Sequence, residues 1–411
     1  MNIRRIIGYI GSKVNLYDFI EETIVKRSED KKLFIDLFAG TCAVSKFIKE
    51  KTDMDIMTND LALYSKILTS ELKIEELSKK DFKYFKNFLK ELNELPLIER
   101  DFYNEFSMGG NPKTITDMSV FEVKKKIKDE NGNVIKETSE NYQEFPHSRM
   151  FFKGEVGKKI DTIRQELLKR YQNGEINEEI KDLVLLFLLS FANGNANNTS
   201  VYGAYLKHDK IKNIKPFYNE DLLSYIEEKY TKFEGSKRKI TSFRGYANET
   251  LEKIKQSTKY KANEIVVYWD PPYGSRSYES NYHILEYLCD LEFNTSVIKH
   301  NSKTGMKNDE VKYDNPFTSK VKTPIIFKEL IKDSLLLSDT MYISYNDEGL
   351  MKQEDVEKIV LDLNKEIFKE HNLKLTTYEQ EYKRFTSGEN NGVNNDKKNQ
   401  VTEIIWSITK N

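Results

Sequence analysis

The chain has 411 residues, of which 38% are hydrophobic and 32% are charged, and its formal net charge is −1. This composition predicts a globular protein with a large core and excludes a membrane protein, because no run approaches the roughly 18 apolar residues of a span. The start lacks the long apolar segment of a signal peptide, and two cysteines are too few for a disulfide framework or a cysteine-rich zinc site. We therefore expect a cytoplasmic protein without a permanently basic surface.

The amino-terminal part of the chain predicts half of a doubly wound α/β sheet. Residues 32–50, KLFIDLFAGTCAVSKFIKE, combine an apolar run, a turn of small residues and a helical alternation, the pattern of strand, loop and helix. Residues 54–60, MDIMTND, predict a second strand ending in an acid. Ligands of such sheets bind beyond the carboxyl ends of the strands, where Asp60 would accept hydrogen bonds from both hydroxyls of a ribose. An ordinary βα turn with an exposed acid explains this loop by itself equally well.

A long central segment interrupts the sheet pattern. Residues up to about 93 predict charged helices, and residues 121–138 predict a β-hairpin around Asn131 and Gly132, a favourable two-residue turn. Among the helical segments that follow, residues 180–192, IKDLVLLFLLSFA, are apolar enough for a buried helix. The segment therefore predicts an inserted, mainly helical domain.

The sheet pattern resumes at residue 240. The segment ITSFRGYAN predicts a strand over residues 240–246, and EIVVYWD, TMYISYN, LKLTTYEQEY and VTEIIWSI predict further strands. The simplest account is a Rossmann-like sheet that is split by an insert. We expect one domain from residues 1–64 and 240–411, with residues 65–239 inserted.

The strand that ends in WDPPY closes on an acid, two prolines and a tyrosine. Asp270 falls at the carboxyl end of a central strand, on the crevice that also holds the loop at Gly40. Pro272 stiffens the backbone, and the carbonyl of Pro271 is an acceptor held in place because proline fixes φ. A carboxylate and this carbonyl can accept both N–H groups of a nucleobase amino group, while Tyr273 offers a flat face for stacking. A strand followed by a proline-rich turn is the weaker account.

The series of motifs resembles the Dam-type, D12-class DNA adenine-N6 methyltransferases in their α arrangement, over nearly the whole chain. GYIGSK is similar to the family's first motif, which closes over S-adenosylmethionine, and DLFAGT is similar to its Phe-x-Gly cofactor motif. The dipeptide ND resembles the ribose-binding acid, and DPPY resembles the catalytic motif. The cofactor motifs precede the insert and the catalytic motif follows it, as in the family.

The resemblance implies an S-adenosylmethionine-dependent Rossmann-like enzyme that methylates N6 of a flipped-out adenine at specific sites in duplex DNA. The implied catalytic residues are Asp270, Pro271, Pro272 and Tyr273. The implied cofactor-binding residues are Tyr9, Gly11, Lys13, Asp36, Phe38, Gly40, Asp60, Asn248 and Asp270. It also implies a prokaryotic or phage-type protein, either a solitary methylase or the partner of a cognate restriction endonuclease.

Two positions depart from the family pattern. Cys42 occupies the place of the second loop glycine, where a positive φ would carry strain. Asn248 stands where relatives often place an aspartate near the cofactor's adenine, and its amide oxygen can still accept a hydrogen bond. We expect these changes to lower cofactor affinity modestly without touching the reacting centre.

Recognition of a DNA sequence requires side chains in the major groove and cations on phosphates, and we assign this role to the insert. The candidate DNA contacts are Lys124, Lys126, Tyr202, Tyr205, Lys207, Lys237, Arg238 and, in a polar loop before the last strand, Arg384. For any single lysine, a solvated surface is the simpler explanation. The five histidines show no ligand spacing, so we expect no metal.

Other functions on this scaffold stay open. An RNA adenine-N6 methyltransferase or a DNA cytosine-N4 methyltransferase would use a related sheet and motif. Relatives that act on cytosine usually carry serine in place of Asp270, and A-form RNA hides its major groove from side chains. A protein that only bound nucleic acid would have no reason to carry both a cofactor loop and an amino-group clamp. The sequence therefore favours adenine in duplex DNA.

Overall fold

A computed structural model describes residues 3–98, 124–128, 134–139, 151–198, 201–203, 206, 213–273, 278–292, 315–383 and 400–411. The strands in this part of the chain are β1 (Leu33–Asp36), β2 (Asp55–Asp60), β3 (Lys124–Lys128), β4 (Val134–Ser139), β5 (Ile240–Arg244), β6 (Ile265–Trp269), β7 (Thr340–Asn346), β8 (Leu373–Lys383) and β9 (Gln400–Lys410). The α-helices are α1 (Tyr17–Thr23), α2 (Ala43–Lys51), α3 (Leu63–Leu68), α4 (Lys79–Glu94), α5 (Gly154–Gln172), α6 (Glu178–Gly194), α7 (Glu220–Phe233), α8 (Ala247–Ser257), α9 (Tyr278–Cys289), α10 (Lys322–Leu337) and α11 (Gln353–Glu366).

Seven strands form one sheet in the order β5-β2-β1-β6-β7-β9-β8. Strands β5, β2, β1, β6 and β7 pair in parallel, whereas β9 runs antiparallel between β7 and β8. Strands β2 and β6 lie on opposite sides of β1, so the order of the strands reverses direction at β1. Doubly wound sheets bind their ligands in the crevice at such a point. The Rossmann-like sheet predicted from the sequence is confirmed.

Both faces of the sheet are covered, and the alternation within β1 shows how. Phe34 belongs to one hydrophobic cluster, whereas Leu33 and Ile35 belong to the cluster on the other face. Successive side chains of a strand point to opposite faces, so a strand that is buried on both sides must be apolar throughout. The second cluster contains the apolar faces of α8, α10 and α11. The sheet is therefore the middle layer of three.

The central helices pack on the first face of the sheet. Residues 183–189 of α6 are each at most 1% exposed, which confirms the predicted buried helix. Neither α6 nor any other helix of the described residues is long and apolar enough to cross a membrane. The helices α4, α5, α6 and α7 share their hydrophobic cluster with Phe34 of β1. The insert boundaries at residues 65 and 239 stay a prediction.

Buried ion pairs join α2 to the central region. Lys46 pairs with Glu71 at 2.6 Å, and Lys49 pairs with Glu75 at 2.6 Å, with all four side chains at most 6% exposed. The hydroxyl of Tyr225 on α7 donates to Glu71. Removing one partner of a buried pair strands a charge in a low-dielectric environment, so these contacts favour one relative placement of the helices and the sheet.

The predicted hairpin agrees with the structure, whereas the predicted end of the strand that begins at residue 240 does not. The hairpin is confirmed, because β3 and β4 pair antiparallel across the predicted turn. Strand β5 ends at Arg244, two residues before the predicted end. Its partner β2 ends at Asp60, whose carbonyl accepts a hydrogen bond from the Gly245 amide at 3.1 Å. Tyr246 then precedes the first turn of α8, so pairing has no further partner.

Candidate active site

The carboxyl ends of β1, β2 and β6 open into one cavity. Its lining includes the predicted residues Tyr9, Gly11, Lys13, Asp36, Phe38, Gly40, Asp60, Asn248, Asp270, Pro272 and Tyr273. Pro271 is buried beside the cavity rather than lining it. The predicted cofactor and catalytic segments, which are far apart in sequence, therefore share one space.

The loop after β1 is shaped by two left-handed residues. Gly40 has a φ of 51°, and a Cβ added there would lie 3.1 Å from the ring of Tyr9. Cys42 has a φ of 58°, which confirms the positive φ considered for it, and begins α2 without a side-chain cap. The Gly40 amide donates to Asp60 at 2.8 Å, and the Ala62 amide donates to the same carboxylate at 2.9 Å. Asp60 therefore holds the loop against the end of β2.

Asp36 places a carboxylate in the floor of the cavity. Its Oδ2 accepts a hydrogen bond from Ser45 Oγ at 2.6 Å, whereas its buried Oδ1 has no hydrogen-bond partner among the described residues. Burial raises the pKa of Asp36 from 3.8 to about 7, although the Ser45 hydrogen bond opposes this change. A cationic group entering the cavity would satisfy Oδ1 and favour the ionised form.

Tyrosines attach the amino-terminal motif to α9. The ring of Tyr9 stacks on Tyr282 with centroids 4.7 Å apart, and it makes an edge contact with Tyr64 at 6.4 Å. The Ile10 amide donates to the Tyr282 hydroxyl at 2.8 Å. Tyr282 carries no marked sequence signal beyond its helical spacing, and sequence reasoning missed it.

The catalytic segment contacts a buried lysine. Nζ of Lys13 lies 2.9 Å from Asp270 Oδ1 and 3.1 Å from Glu403 Oε1. It also donates to the Tyr273 hydroxyl at 3.4 Å and to the Gly11 carbonyl at 3.3 Å. The side chains of Lys13 and Glu403 are 3% and 1% exposed, whereas Asp270 is 19% exposed. The Lys13 ammonium therefore bridges two carboxylates: that of Asp270, which faces the cavity, and that of Glu403, which lies behind it.

Burial and mutual charge together set the protonation of this cluster. Burial raises the pKa of Asp270 to about 7; the Lys13 charge opposes this, and the Glu403 charge adds to it. Burial alone would lower the pKa of Lys13, but the Asp270 and Glu403 carboxylates outweigh it and raise that pKa well above 10.5. Lys13 therefore stays protonated throughout the neutral range, while Asp270 titrates within it.

Sequence reasoning missed two acids near the cavity. Glu403 is the acid of strand β9 and directly precedes the apolar residues 404–406, and that position was the available signal. Glu286 of α9 lines the cavity, accepts from the Tyr64 amide at 3.3 Å and lies 3.6 Å from Arg244. Burial raises its pKa to about 7, and Arg244 opposes this change. No group of three or more histidine, cysteine or acidic side chains in the described ranges is arranged to hold a metal ion.

The predicted DNA contacts are placed very differently from one another. Tyr202 is only 1% exposed, and its ring packs near Phe151, so it offers no surface to DNA. Arg238 donates to the Lys49 carbonyl at 3.0 Å and pairs with Asp53 at 3.2 Å. Arg238 precedes β5, so it lies at the amino-terminal ends of the parallel strands, whereas the cavity lies at their carboxyl ends. We call this the far edge of the sheet. Both assignments are therefore corrected: Tyr202 is a core residue, and Arg238 ties that edge together.

The other predicted DNA contacts divide into three groups. Lys237 is exposed but neighbours Arg238 at the far edge of the sheet. Lys124 and Lys126 occupy alternate positions of β3. The remaining predicted contacts, Tyr205, Lys207 and Arg384, lie outside the described residues.

Comparisons with known proteins agree with this geometry. Residues 9–333 match the profile of the D12 class N6 adenine-specific DNA methyltransferases. The type II methyltransferase M.NlaIII of Neisseria lactamica is 28% identical over 98% of this chain and 99% of its own length. The type II methyltransferase M.FokI of Planomicrobium okeanokoites is 28% identical over 92% of this chain but only 50% of its own length. The type II methyltransferase M.CviAII of Paramecium bursaria Chlorella virus 1 is 26% identical over 85% of this chain and 86% of its own length.

The family profile covers most of the chain, and it spans the glycine loop, the central helices and the strand that precedes Asp270. The resemblance inferred from the sequence is thereby confirmed. The chain belongs to the D12 class of N6 adenine-specific DNA methyltransferases.

Proposed function

We propose that this chain binds S-adenosylmethionine in the cavity and methylates N6 of an adenine that rotates out of duplex DNA into the same cavity. The observation that carries the proposal is the shared space: Asp270 and Tyr273 after β6 line the cavity that also contains the Gly40 loop. A methyl donor and an acceptor held there would meet at the carboxyl edge of β1 and β6. Positioning of this kind turns a bimolecular transfer into an effectively unimolecular one.

The residues on the first side of the cavity fit S-adenosylmethionine. Asp36 presents an unpartnered buried oxygen for an ammonium group, and Asp60 offers acceptors for ribose hydroxyls. Phe38 and the exposed Asn248 line the part where an adenine ring would lie. A Cβ at Gly40 would contact the Tyr9 ring, so the absence of a side chain keeps the loop open to the cavity. When bound there, S-adenosylmethionine supplies a methyl group activated by a sulfonium.

The residues on the second side fit an exocyclic amino group. Asp270 would accept one of its N–H groups, and the carbonyl of Pro271, which is buried beside the cavity, is our candidate acceptor for the other. The Tyr273 ring would stack on the base. Tyr273 is supported from behind by an edge contact with Tyr345 at 5.3 Å. Held in this way, the N6 lone pair would be directed out of the ring toward the methyl group that bound S-adenosylmethionine would supply. N6 then releases a proton, for which ionised Asp270 is an adjacent acceptor.

We assign recognition of the DNA to the central region, in which Lys124 and Lys126 of the hairpin stay our candidates for phosphate contacts. Flipping of the target costs a few kcal/mol of unstacking, which contacts to the duplex must offset. The names of M.NlaIII and M.FokI identify them as type II methyltransferases, and we propose that this chain likewise protects the sites of a cognate restriction endonuclease. Methylation mapping of DNA from expressing cells will identify the site, and cleavage at that site should be blocked.

The product tests the proposal directly. After incubation with S-adenosylmethionine and duplex DNA, we expect nucleoside mass spectrometry to show N6-methyladenine. Asp270→Ala removes the charged acceptor, and we expect kcat to fall about 100-fold or more while cofactor binding by calorimetry persists. The exposed Asp53, at the far edge of the sheet, provides the control Asp53→Ala, which should keep activity. N4-methylcytosine as the main product, or methylation only of RNA, would contradict the proposal.

A further inference from the structure

Glu403 is a buried carboxylate that has no role in the methyl transfer described above, and it is linked to Asp270 through Lys13. Glu403 is 1% exposed, and its Oε1 lies 3.1 Å from the Lys13 ammonium that also contacts Asp270. Resting on the proposed function, we propose that Glu403 is a positioning residue that shares the Lys13 ammonium with Asp270, so that Lys13 orients the Asp270 carboxylate without neutralising it and the carboxylate stays a strong acceptor for the amino group of the target base.

The topology explains how Glu403 reaches the site. Strand β9 runs antiparallel to β7, so the early residues of β9 lie at the edge where β7 ends, and Glu403 pairs with Asn346. Its Oε1 also accepts a hydrogen bond from Ser344 Oγ on β7. Two donors from different elements, Lys13 and Ser344, therefore fix this carboxylate. A buried carboxylate is costly unless paired, which makes an unneeded acid at this position unfavourable.

The sharing of one cation between two carboxylates decides the charge that faces the base. With both acids ionised, the Lys13, Asp270 and Glu403 side chains together carry one net negative charge. Lys13 then orients Asp270 without cancelling its charge. N6 becomes positive as it bonds to the methyl carbon, and a net negative cluster stabilises that charge better than a neutral pair would.

Removal of the Glu403 charge has two linked consequences. Lys13 would pair with Asp270 alone, so the Asp270 carboxylate would be a weaker acceptor for N6–H. The charge of Glu403 also raises the pKa of Asp270, so its loss lowers that pKa. The groups that face Asp270 from neighbouring elements are Lys13, Asp36, Tyr268, Tyr273, Tyr382 and Glu403. Among these groups, Glu403 is the carboxylate that shares the Lys13 ammonium with Asp270.

The test compares kcat against pH for the full-length wild type and Glu403→Gln, with saturating S-adenosylmethionine and duplex DNA. We expect kcat of the variant to fall about tenfold at pH 8 and its acidic limb to move about half a unit or more to lower pH. Glu403→Asp keeps the charge but shortens the side chain, so its limb should stay at the wild-type pH while kcat is partly recovered.

Glu75 provides a matched control. It is a buried acid that pairs with Lys49 at 2.6 Å, both side chains are 4% exposed, and it lies away from the cavity lining. Glu75→Gln should lower the melting temperature as Glu403→Gln does, yet leave the pH profile in place. A purely structural role for Glu403 would give the two variants the same behaviour.

Each outcome decides the inference. Wild-type kcat and an unmoved acidic limb in a folded Glu403→Gln enzyme would overturn it, while N6-methyladenine formation by the wild type would still support the proposed function. If Glu403→Gln fails to fold, Glu403→Asp decides: an acidic limb that moves in spite of the retained charge overturns the inference. A wild type that makes no N6-methyladenine would overturn both proposals.

Discussion

Asp36 is a carboxylate whose burial works against the stability of the empty protein. Its Oδ1 is buried without a hydrogen-bond partner among the described residues, and burial raises its pKa to about 7. In the unfolded chain the same group titrates near 3.8, so between about pH 4 and pH 7 the folded state binds a proton that the unfolded state has released. Its contribution to stability is therefore lost as the pH rises through 7. The cavity keeps a destabilising charge that a bound cation would relieve.

We expect Asp36→Asn to stabilise the cofactor-free protein at pH 8 by at least about 1 kcal/mol, since one pKa unit corresponds to about 1.4 kcal/mol. At pH 5 the gain should largely disappear, because wild-type Asp36 is then protonated. Thermal melting at both pH values measures the difference. Exposed Asp53→Asn is the control, and calorimetry should show weaker S-adenosylmethionine binding by Asp36→Asn. Equal destabilisation at both pH values would contradict the role of burial.

At the scale of elements, the loop that joins β1 to α2 contains an unusual residue. Cys42 is fully buried and has a φ of 58°, a conformation that costs a residue with a Cβ about 1–2 kcal/mol. Its amide donates to the Ala39 carbonyl at 2.6 Å, which keeps the turn tight ahead of α2. The strain is a property of the backbone, whereas the buried thiol stabilises the fold through packing.

Two substitutions separate strain from packing. Cys42→Ala removes the thiol and keeps the backbone strain, whereas Cys42→Gly removes both. We therefore expect the free energy of unfolding of the glycine variant to exceed that of the alanine variant by about 1 kcal/mol. Urea unfolding measures the difference, and S-adenosylmethionine binding should follow the same order. Cys289, also buried, ends α9 without a positive φ, so alanine should be the more stable replacement there. An alanine variant at least as stable as glycine at position 42 would show that strain is unimportant.

At the scale of the whole molecule, the cavity and the candidate DNA surface belong to different parts of the chain. The cavity lies at the carboxyl edge of the sheet, whereas β3 and β4 form a separate two-stranded sheet. If the hairpin contacts DNA as we propose, catalysis and site recognition are separable by mutation. The lysines of β3 supply charge suited to phosphates, whose contacts make affinity depend on salt.

Lys124→Ala combined with Lys126→Ala tests the hairpin. If both lysines contact phosphates, the slope of log affinity against log salt should fall by about 2, with binding weakened uniformly across DNA sequences. Fluorescence anisotropy at several salt concentrations measures this slope, and S-adenosylmethionine binding should be unchanged. Lys237→Ala, at the far edge of the sheet, is the control. If Lys237→Ala changes the salt slope and the double hairpin variant does not, the DNA contacts lie at the far edge of the sheet and the hairpin assignment is wrong.

Much of the site follows from the sequence, because its chemistry lies in short contiguous segments. The Gly40 loop and Asp270 each follow an apolar strand, and Asp60 is the last residue of β2. The carboxyl ends of these parallel strands meet at one end of the sheet. The apolar run of α6 and the Asn-Gly turn of the hairpin are equally local signals. Such features depend on periodicity and backbone conformation, which neighbouring residues determine.

The tertiary structure decided which distant groups meet. Lys13 and Glu403 lie near opposite ends of the chain, and only the antiparallel insertion of β9 beside β7 brings that acid to Asp270. Likewise, a cluster of cations before β5 does not reveal which edge of the sheet it will occupy, and the structure places Arg238 away from the cavity. Residue type indicates what a side chain can do. Strand order and direction determine its partners, and hence its charge state and its exposure.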